Sequence, residues 1–523
     1  MARTTHRTTT ERTTAQTPAQ RPRTLRSRVS LALASLCVLL LATACPRDGD
    51  RGHGSRGVLL IAIDSLRADH LSAMGYDRRT TPVLDGLAQR GALFTQTFGV
   101  APAYLPAHAG LLTGCDPGIC VRPRLESSTD TGFSARWWVP RAIPSLAGEY
   151  LAAGYSTAAF VDHPWISPTY GFDRGFQEFH RFQEDDVVGY DDYGFEGVVL
   201  RFRRWRRALK GDRDWFAYLS VTDLDRSWQS DDELDESIFE PRPELDWVPP
   251  VTETGRSYFA IPNDRRQLWS GGNETLAEYE LRYDRTLRRL DKRIGRMLEE
   301  LAREGRLENT TICIVGTFGV GFGESGLILD TGTLSDVDQH VPWVLSPARD
   351  AEIEHDRRCD GLASLLDVAP TLLELSGIEL PSGMHGRSQV PVLRREVEAV
   401  REFAFSRGGV QAGFAVRDQR YNLEHTVPGG RGAESLRRSW TGQSATPKRF
   451  TDHLTDRTAG GGPGNQGPGL DDPETTRRLR EAGSQWYRWI DEARAVVHEI
   501  PWDHDPVDPA LLRELIENGI VAP

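Results

Sequence analysis

The chain runs to 523 residues, with 39% hydrophobic and 26% charged side chains and a formal net charge of -12. Such a length can bury a large core and exceeds the usual ceiling for one compact domain, so a main domain with a smaller appended one is expected. The acidic balance argues against nucleic acid as a partner, because a phosphate backbone requires a basic footprint.

Residues 1–28 are rich in Arg and Thr and hold a single acid, Glu11. An apolar run, VSLALASLCVLLLATA (29–44), follows and ends in small residues before Cys45. A positive region, an apolar region and a small-residue cleavage site form a secretion signal, and the run is short for a membrane span. A-T-A-C resembles a bacterial lipobox, although Ala42 stands where Leu is commoner. Residues 1–45 are therefore expected to be a signal peptide with a lipidated Cys45, and 46–56 a linker. This makes the body an exported periplasmic or cell-surface lipoprotein. The other reading is an uncleaved N-terminal anchor, and both export the body.

Export bears on the remaining cysteines. Cys115 and Cys120 bracket DPGI, a spacing that suits a small disulfide in an oxidising compartment. Cys313 lies in an apolar strand and reads as a buried free thiol. No CxxC or Cys/His spacing suggests zinc.

Taken in order, the apolar run VLLIAI (58–63) lacks alternation, which suits a parallel strand covered on both faces. Asp64 falls at its C-terminal end, where ligands bind in open α/β sheets. The segment around Pro106 is expected to be a loop entering that pocket. Residues 144–153 read as a helix stopped at Gly154, 155–161 as a strand, 184–193 as an acidic solvated loop and 215–222 as another buried strand. About 224–272 no period is sustained, and an irregular insertion is expected. The clearest helix follows, capped by Asn273, with a stripe through Tyr283, Leu287, Leu290, Ile294, Met297, Leu298 and Leu301. Then come strands at 311–315 and 341–345 and a helix at 367–377.

This rhythm predicts a mostly parallel sheet with helices on both sides, over 57–394. Residues 395–523 change character. Two short strands are expected around 403–405 and 414–416, a helix from Asp472, and a mobile Gly/Pro loop at 458–469. The last residues read as a capped helix and a short end.

The succession VLLIAIDSLRADHL, GYDRRTTPVLDGLAQRG, PAYLPAHAGLLTG, AGYSTAAFV, GFDRGFQEF, YDRTLRRLDKRIGRMLEEL, DVAPTLLELSGIELP and MHGRS resembles a bacterial sulfatase, in the sulfatase and alkaline phosphatase superfamily. The resemblance runs from about Val58 to the C-terminus and is weakest over the insertion. It implies a three-layer α/β core with a mostly parallel central sheet, a smaller C-terminal α+β subdomain, and a pocket at the strand ends. Sulfate and phosphate monoesters are anionic, so their hydrolysis needs a divalent cation and basic side chains to neutralise charge on the leaving oxygen. In sulfatases the nucleophile is a formylglycine made from the first residue of C-x-P-x-R or S-x-P-x-R.

On that pattern this chain departs at nearly every chemical position. The nucleophile motif reads Tyr104-Leu105-Pro106-Ala107-His108, with Tyr104 in the nucleophile's place and His108 in that of its arginine. A tyrosine cannot become formylglycine, and a phenol of ordinary pKa about 10 is poorly ionised at neutral pH. Of the first acidic pair, Asp64 remains beside Ser65. The second carboxylate motif, D-H-G or D-N-G, is Thr317-Phe318-Gly319, while Glu324 and Gly326 keep the register. The His that follows the middle strand in relatives is absent from SVTDLD, where Ser220 and Asp223 stand, and the expected Lys corresponds to about Thr331.

Each of these residues also has an ordinary role: Asp64 as a helix cap, Tyr104 as a pocket-filling aromatic, His108 as a hydrogen-bonded support, Glu324 as a loop brace. Three functional readings stay open. One is an inactive, lipid-anchored pseudo-sulfatase with a binding or regulatory role toward an unknown ligand or protein. The second is an active sulfuric or phosphoric ester hydrolase in which Tyr104 is the nucleophile and Asp64 holds Ca²⁺ or Mg²⁺; the other readings need no cofactor. The third is a structural surface lipoprotein.

Overall fold

A computed structural model describes residues 55–498 apart from 129–131, 141–142, 164, 182–193, 210–212, 227–237, 250, 253–260, 263–274, 325–326, 352, 409–412, 427–449 and 459–468. The signal peptide, Cys45 and its linker to residue 54, the 184–193 loop, Asn273, Gly326, most of the insertion and of the Gly/Pro loop, and the C-terminal tail lie outside the described residues. Among the described residues no helix is long and apolar enough to cross a membrane.

The core sheet is built from β1 (Gly57–Ile63), β2 (Ala92–Phe98), β3 (Ser156–Val161), β4 (Glu178–Arg181), β5 (Trp215–Val221), β6 (Thr310–Gly316), β7 (His340–Ser346), β8 (Arg357–Cys359) and β9 (Ala363–Ser364). Their spatial order is β8-β2-β7-β6-β1-β5-β3-β4, with β9 also on β2. Pairings are parallel except where β7 runs antiparallel to β6 and β2. β1 lies in the middle and all seven of its residues are buried, as its unbroken apolar run requires.

Alternation along β1 generates the three layers. Val58, Leu60 and Ala62 join one core with helices α2 (Tyr104–Thr113), α3 (Leu146–Ala152) and α6 (Val368–Leu375). Leu59, Ile61 and Ile63 face the other, with α1 (Pro82–Arg90), α4 (Phe195–Ala208) and α5 (Leu276–Arg303). The seven stripe residues of α5 read from the sequence are all buried, each worth about 1.5–3 kcal/mol relative to exposure. Its cap is Thr275, whose backbone N–H donates to Glu278 at 2.7 Å. This T-x-x-E box takes the place expected for Asn273.

Three sequence expectations are corrected. Tyr104 to Pro106 do not form a loop but the first turn of α2. A proline is tolerated there because first-turn N–H groups have no intrahelical partner in any case. Cys115 and Cys120 are buried free thiols, not a disulfide. Cys120 Sγ lies 3.4 Å from the Cys115 carbonyl oxygen and 3.7 Å from Thr113 Oγ1, and Cys115 Sγ 3.8 Å from the Asp116 carbonyl oxygen; burial, and then the neighbouring Cys120 thiol, push the Cys115 thiol well up. The C-terminal sheet has four strands rather than two: β10 (Ala404–Arg407), β11 (Gly413–Arg417), β12 (Tyr421–Thr426) and β13 (Thr451–Asp456), all antiparallel. Helix α7 (Pro473–His498) covers it through Leu479 and Trp486. Cys313 is the buried free thiol expected.

An ion cluster ties this small sheet to the core. Asp336, just before β7, accepts from Arg417 Nε at 2.7 Å and from Arg457 Nε at 2.8 Å. Both guanidiniums stack on Phe98, at 4.9 and 4.4 Å. Burial alone would raise the Asp336 carboxyl, but the two arginines outweigh it and hold it far below the ordinary range.

Candidate functional site

The C-terminal ends of β6, β1 and β5 converge. Ile63 is in register with Gly316 on one side and Val221 on the other, so Thr317, Asp64 and Thr222 cap three adjacent strands. Asp64 N–H donates to the Val221 carbonyl at 2.9 Å and Thr317 N–H to the Ile63 carbonyl at 3.2 Å. Ser65 takes a left-handed backbone with φ +60. Its hydroxyl donates to Asp225 at 3.2 Å and its carbonyl accepts from Tyr283, so it is drawn away from Asp64. Helix α2 enters from the opposite side, carrying Tyr104 and, one turn on along the same face, His108.

Asp64, His108, Thr317 and Tyr218 have no solvent exposure. Asp64 Oδ1 accepts from His108 Nε2 at 2.8 Å and from Thr317 Oγ1 at 2.5 Å. The other imidazole nitrogen, Nδ1, is hydrogen-bonded to the Tyr218 hydroxyl. Burial alone would push the Asp64 carboxyl up. The electrostatic pull and hydrogen bond of His108, with help from His163 and the Thr317 hydroxyl, outweigh it and carry the group downward. Tyr218 moves the other way: burial, then the Asp64 carboxylate, push its phenol well up. Asp64 therefore caps no helix; its Oδ1 is the acceptor of a buried chain running from Thr317 through His108 to Tyr218, while its Oδ2 has no hydrogen-bond partner.

Over this chain lies an aromatic layer. The Tyr104 ring stacks on His163 at 4.1 Å and meets the edge of Phe318 at 5.0 Å. Phe318 is fully buried. Ser220 lies two residues beyond Tyr218 on the same face of β5 and is buried with it, as is Pro106.

Two sequence candidates are engaged elsewhere. Asp223 accepts the N–H of Phe195 at 2.8 Å, at the start of α4, and lies 3.7 Å from Arg293. Burial and the neighbouring Asp162 push its carboxyl up to about 6. Glu324 pairs with the buried Arg67 at 2.7 Å and accepts from Phe322 N–H, which makes it a brace for the strand-end loop. Thr331 is buried beside Asp330.

Sequence reasoning missed Tyr218 and the pair Asp162 and His163. The last two follow β3 directly, in the same strand-end position that singled out Asp64. Tyr218 sits inside the run WFAYLSV, where an aromatic reads as core.

A divalent cation does not fit these residues. Ca²⁺ takes six to eight oxygen ligands and Mg²⁺ a near-octahedral set. Here Asp64 Oδ1 is held by two protein donors and Oδ2 is buried without a hydrogen-bond partner; one free oxygen falls far short of such a shell, since a hydroxyl and a benzyl ring fill the Thr317 and Phe318 positions and Ser65 faces Asp225. Among the described residues no group of three or more His, Cys, Asp or Glu side chains is placed to hold a metal ion.

The loop beside the site carries a second buried acid. Asp338 Oδ2 accepts from Gly332 N–H, Thr333 N–H and Thr333 Oγ1, while Oδ1 has no partner. Burial pushes this carboxyl up to about 7, with Asp330 adding to it against the hydrogen bonds from Thr333 and Gly332. Since the folded value lies above the unfolded one near 4, the folded state binds the extra proton and loses stability as pH rises through about 4 to 7. Asp338→Asn, which keeps the shape and removes the titration, is expected to gain on the wild type as pH rises from about 5 to 8 in urea unfolding. A pH-independent difference would contradict this.

A mostly parallel sheet between two helical layers, with its polar residues gathered at the strand ends, defines the alkaline phosphatase type of hydrolase fold. The Sulfatase family model matches residues 56–378, and the chain belongs to that family. It is 25% identical over 399 residues to human N-sulphoglucosamine sulphohydrolase, covering 70% of this chain and 71% of that protein. It is also 24% identical over 387 residues to the extracellular sulfatase SULF-1 homolog of Drosophila melanogaster, covering 68% of this chain but only 33% of that longer relative. Among solved structures, a 2-O GAG sulfatase superposes with a TM-score of 0.60 at 20% identity, over 86% of this chain and 95% of the other.

Proposed function

We propose that this sulfatase-family chain does not carry out the metal- and formylglycine-dependent hydrolysis of sulfate esters, and that it serves as an exported, membrane-tethered binding or regulatory protein. The observation that carries the reading is the Asp64 carboxylate, sealed from solvent and bonded to His108 and Thr317 where a metal-dependent hydrolase needs it on a cation. Tyr104 supports it, since its half-buried ring stacks on His163 and meets Phe318. Export and tethering rest on the N-terminal signal and Cys45.

The purified protein, without residues 1–45, is expected to give no turnover above background on a panel of aryl and sugar sulfates and phosphate esters with Ca²⁺ or Mg²⁺ supplied. Turnover that Tyr104→Phe abolishes would overturn the reading and restore Tyr104 as a nucleophile. A thermal-shift screen then separates a binding role from a purely structural one, since only the former yields a ligand that raises the melting temperature.

A further inference from the structure

The family's cation site and this chain's residues disagree in a particular way: the position that holds an acceptor in metal-dependent relatives holds a donor here. A carboxylate at position 317 would face Asp64 as a like charge and need a cation between them. The hydroxyl of Thr317 instead donates directly to Asp64 Oδ1 at 2.5 Å, a contact that leaves no space for an ion between the two oxygens. His108 does the same from α2. An ionised carboxylate can only accept, so the 2.8 Å contact is an Nε2–H donation. The ring is held by Tyr218, whose hydroxyl bonds Nδ1, so Nε2–H is aimed at the carboxylate.

We propose that His108 and Thr317 together stand in for the divalent cation. Two protein hydrogen-bond donors supply the stabilisation of the buried Asp64 carboxylate that an ion supplies in metal-dependent relatives, and the folded state is thereby independent of Ca²⁺ and Mg²⁺. The inference rests on the non-catalytic reading of the same site and adds what occupies the ion's electrostatic role. The partition of duties follows from the geometry. Thr317 reaches Asp64 from the adjacent strand end and His108 from the helix that carries the nucleophile position, so one acceptor oxygen ties β1 to both β6 and α2. Asp64 Oδ2 is left buried without a hydrogen-bond partner, and Phe318, next to Thr317 and fully buried against Tyr104, adds a side chain that can coordinate nothing.

Two measurements test this. The wild-type protein is unfolded thermally in excess EDTA, in millimolar Ca²⁺ and in millimolar Mg²⁺. The expected result is a melting temperature constant to within about 1 °C, whereas an ion bound only by the folded state would raise it by mass action. The second is a double-mutant cycle with near-isosteric changes that remove the polar atoms, His108→Phe and Asp64→Leu. The shift in the unfolding equilibrium caused by His108→Phe is expected to be at least about tenfold smaller when Asp64 is already Leu, because no buried carboxylate is then left without its donor. Should His108→Phe fail to fold, Thr317→Val against the same Asp64→Leu background gives the cycle with a milder change. Additive effects, or stabilisation by either ion, would overturn the proposal. Ester turnover without ion stabilisation would sink the non-catalytic reading and leave the donor substitution standing. Ion stabilisation without turnover would do the reverse.

Discussion

Asp336→Ala is expected to destabilise the protein by about 3–5 kcal/mol, because it strips the shared counter-ion from two buried arginines. Side-chain exposure is 0% at Arg417, 7% at Arg457 and 13% at Asp336. Arg417 keeps Ser406 Oγ at 3.0 Å and the Leu334 carbonyl, and Arg457 keeps Gln96 Oε1. These partners, with the Asp418 carbonyl on Arg457 Nη1 at 3.2 Å, satisfy N–H groups; Glu424 remains as an acidic neighbour of Arg417, but burial pushes its carboxyl up to about 7, so it offsets that charge only in part. Arg417 and Arg457 belong to the small sheet and Asp336 to the core, so the loss should fall first on the docking of that sheet. Urea unfolding followed by amide hydrogen exchange in β10–β13 and α7 and by far-ultraviolet dichroism would show the small sheet opening at lower denaturant than the whole. A loss below about 1 kcal/mol would mean that water or main-chain carbonyls already screen the arginines.

Gly319→Ala is expected to cost about 3 kcal/mol or more. A Cβ there would stand 2.0 Å from the Val337 carbonyl oxygen, a main-chain atom with no freedom to yield. The same residue's N–H donates to the Asp338 carbonyl at 2.8 Å, so the segment cannot back away without breaking that bond. The consequence reaches beyond stability. Gly319 is the one member of its three-residue motif to match the family pattern, and this contact shows why: it serves the close approach of two loops, which a protein needs whether or not it holds a metal. The urea midpoint measures the cost, and a shift corresponding to less than about 0.5 kcal/mol would show that the 337–338 segment can move.

The sequence made the parallel core legible because its strands are buried on both faces and read as continuous apolar runs, of which β1 is the clearest. Asp64 stood out for the same reason, as the first charge after such a run. The start of α2 was hidden by Pro106, which reads as a breaker unless its place in a first turn is known. β12 and β13 were illegible because YNLEHT and TDHLTD carry few apolar residues on their core face, chiefly Leu423 and Leu454. At the site, the replacements Tyr104, His108, Thr317 and Phe318 could be read by position, but what they do to one another could not. Hydrogen bonds between residues 44 and 253 positions apart follow only from the register of β1 with β6 and the entry angle of α2. Asp223, charged and next to a strand end, gave the same local signal as Asp64, yet its carboxylate binds the start of α4.

The clasp around Asp64 also resists piecemeal change. Thr317→Asp by itself would press a second carboxylate against the buried Asp64, and Phe318→Asn would bury an amide among rings. Freeing Asp64 by changing His108 alone would strip a sealed carboxylate of a donor and leave Tyr218 facing a gap. Every single step toward a cation-binding arrangement is uphill until the others have been made, so the exchange of donors for ligands at this site is cooperative.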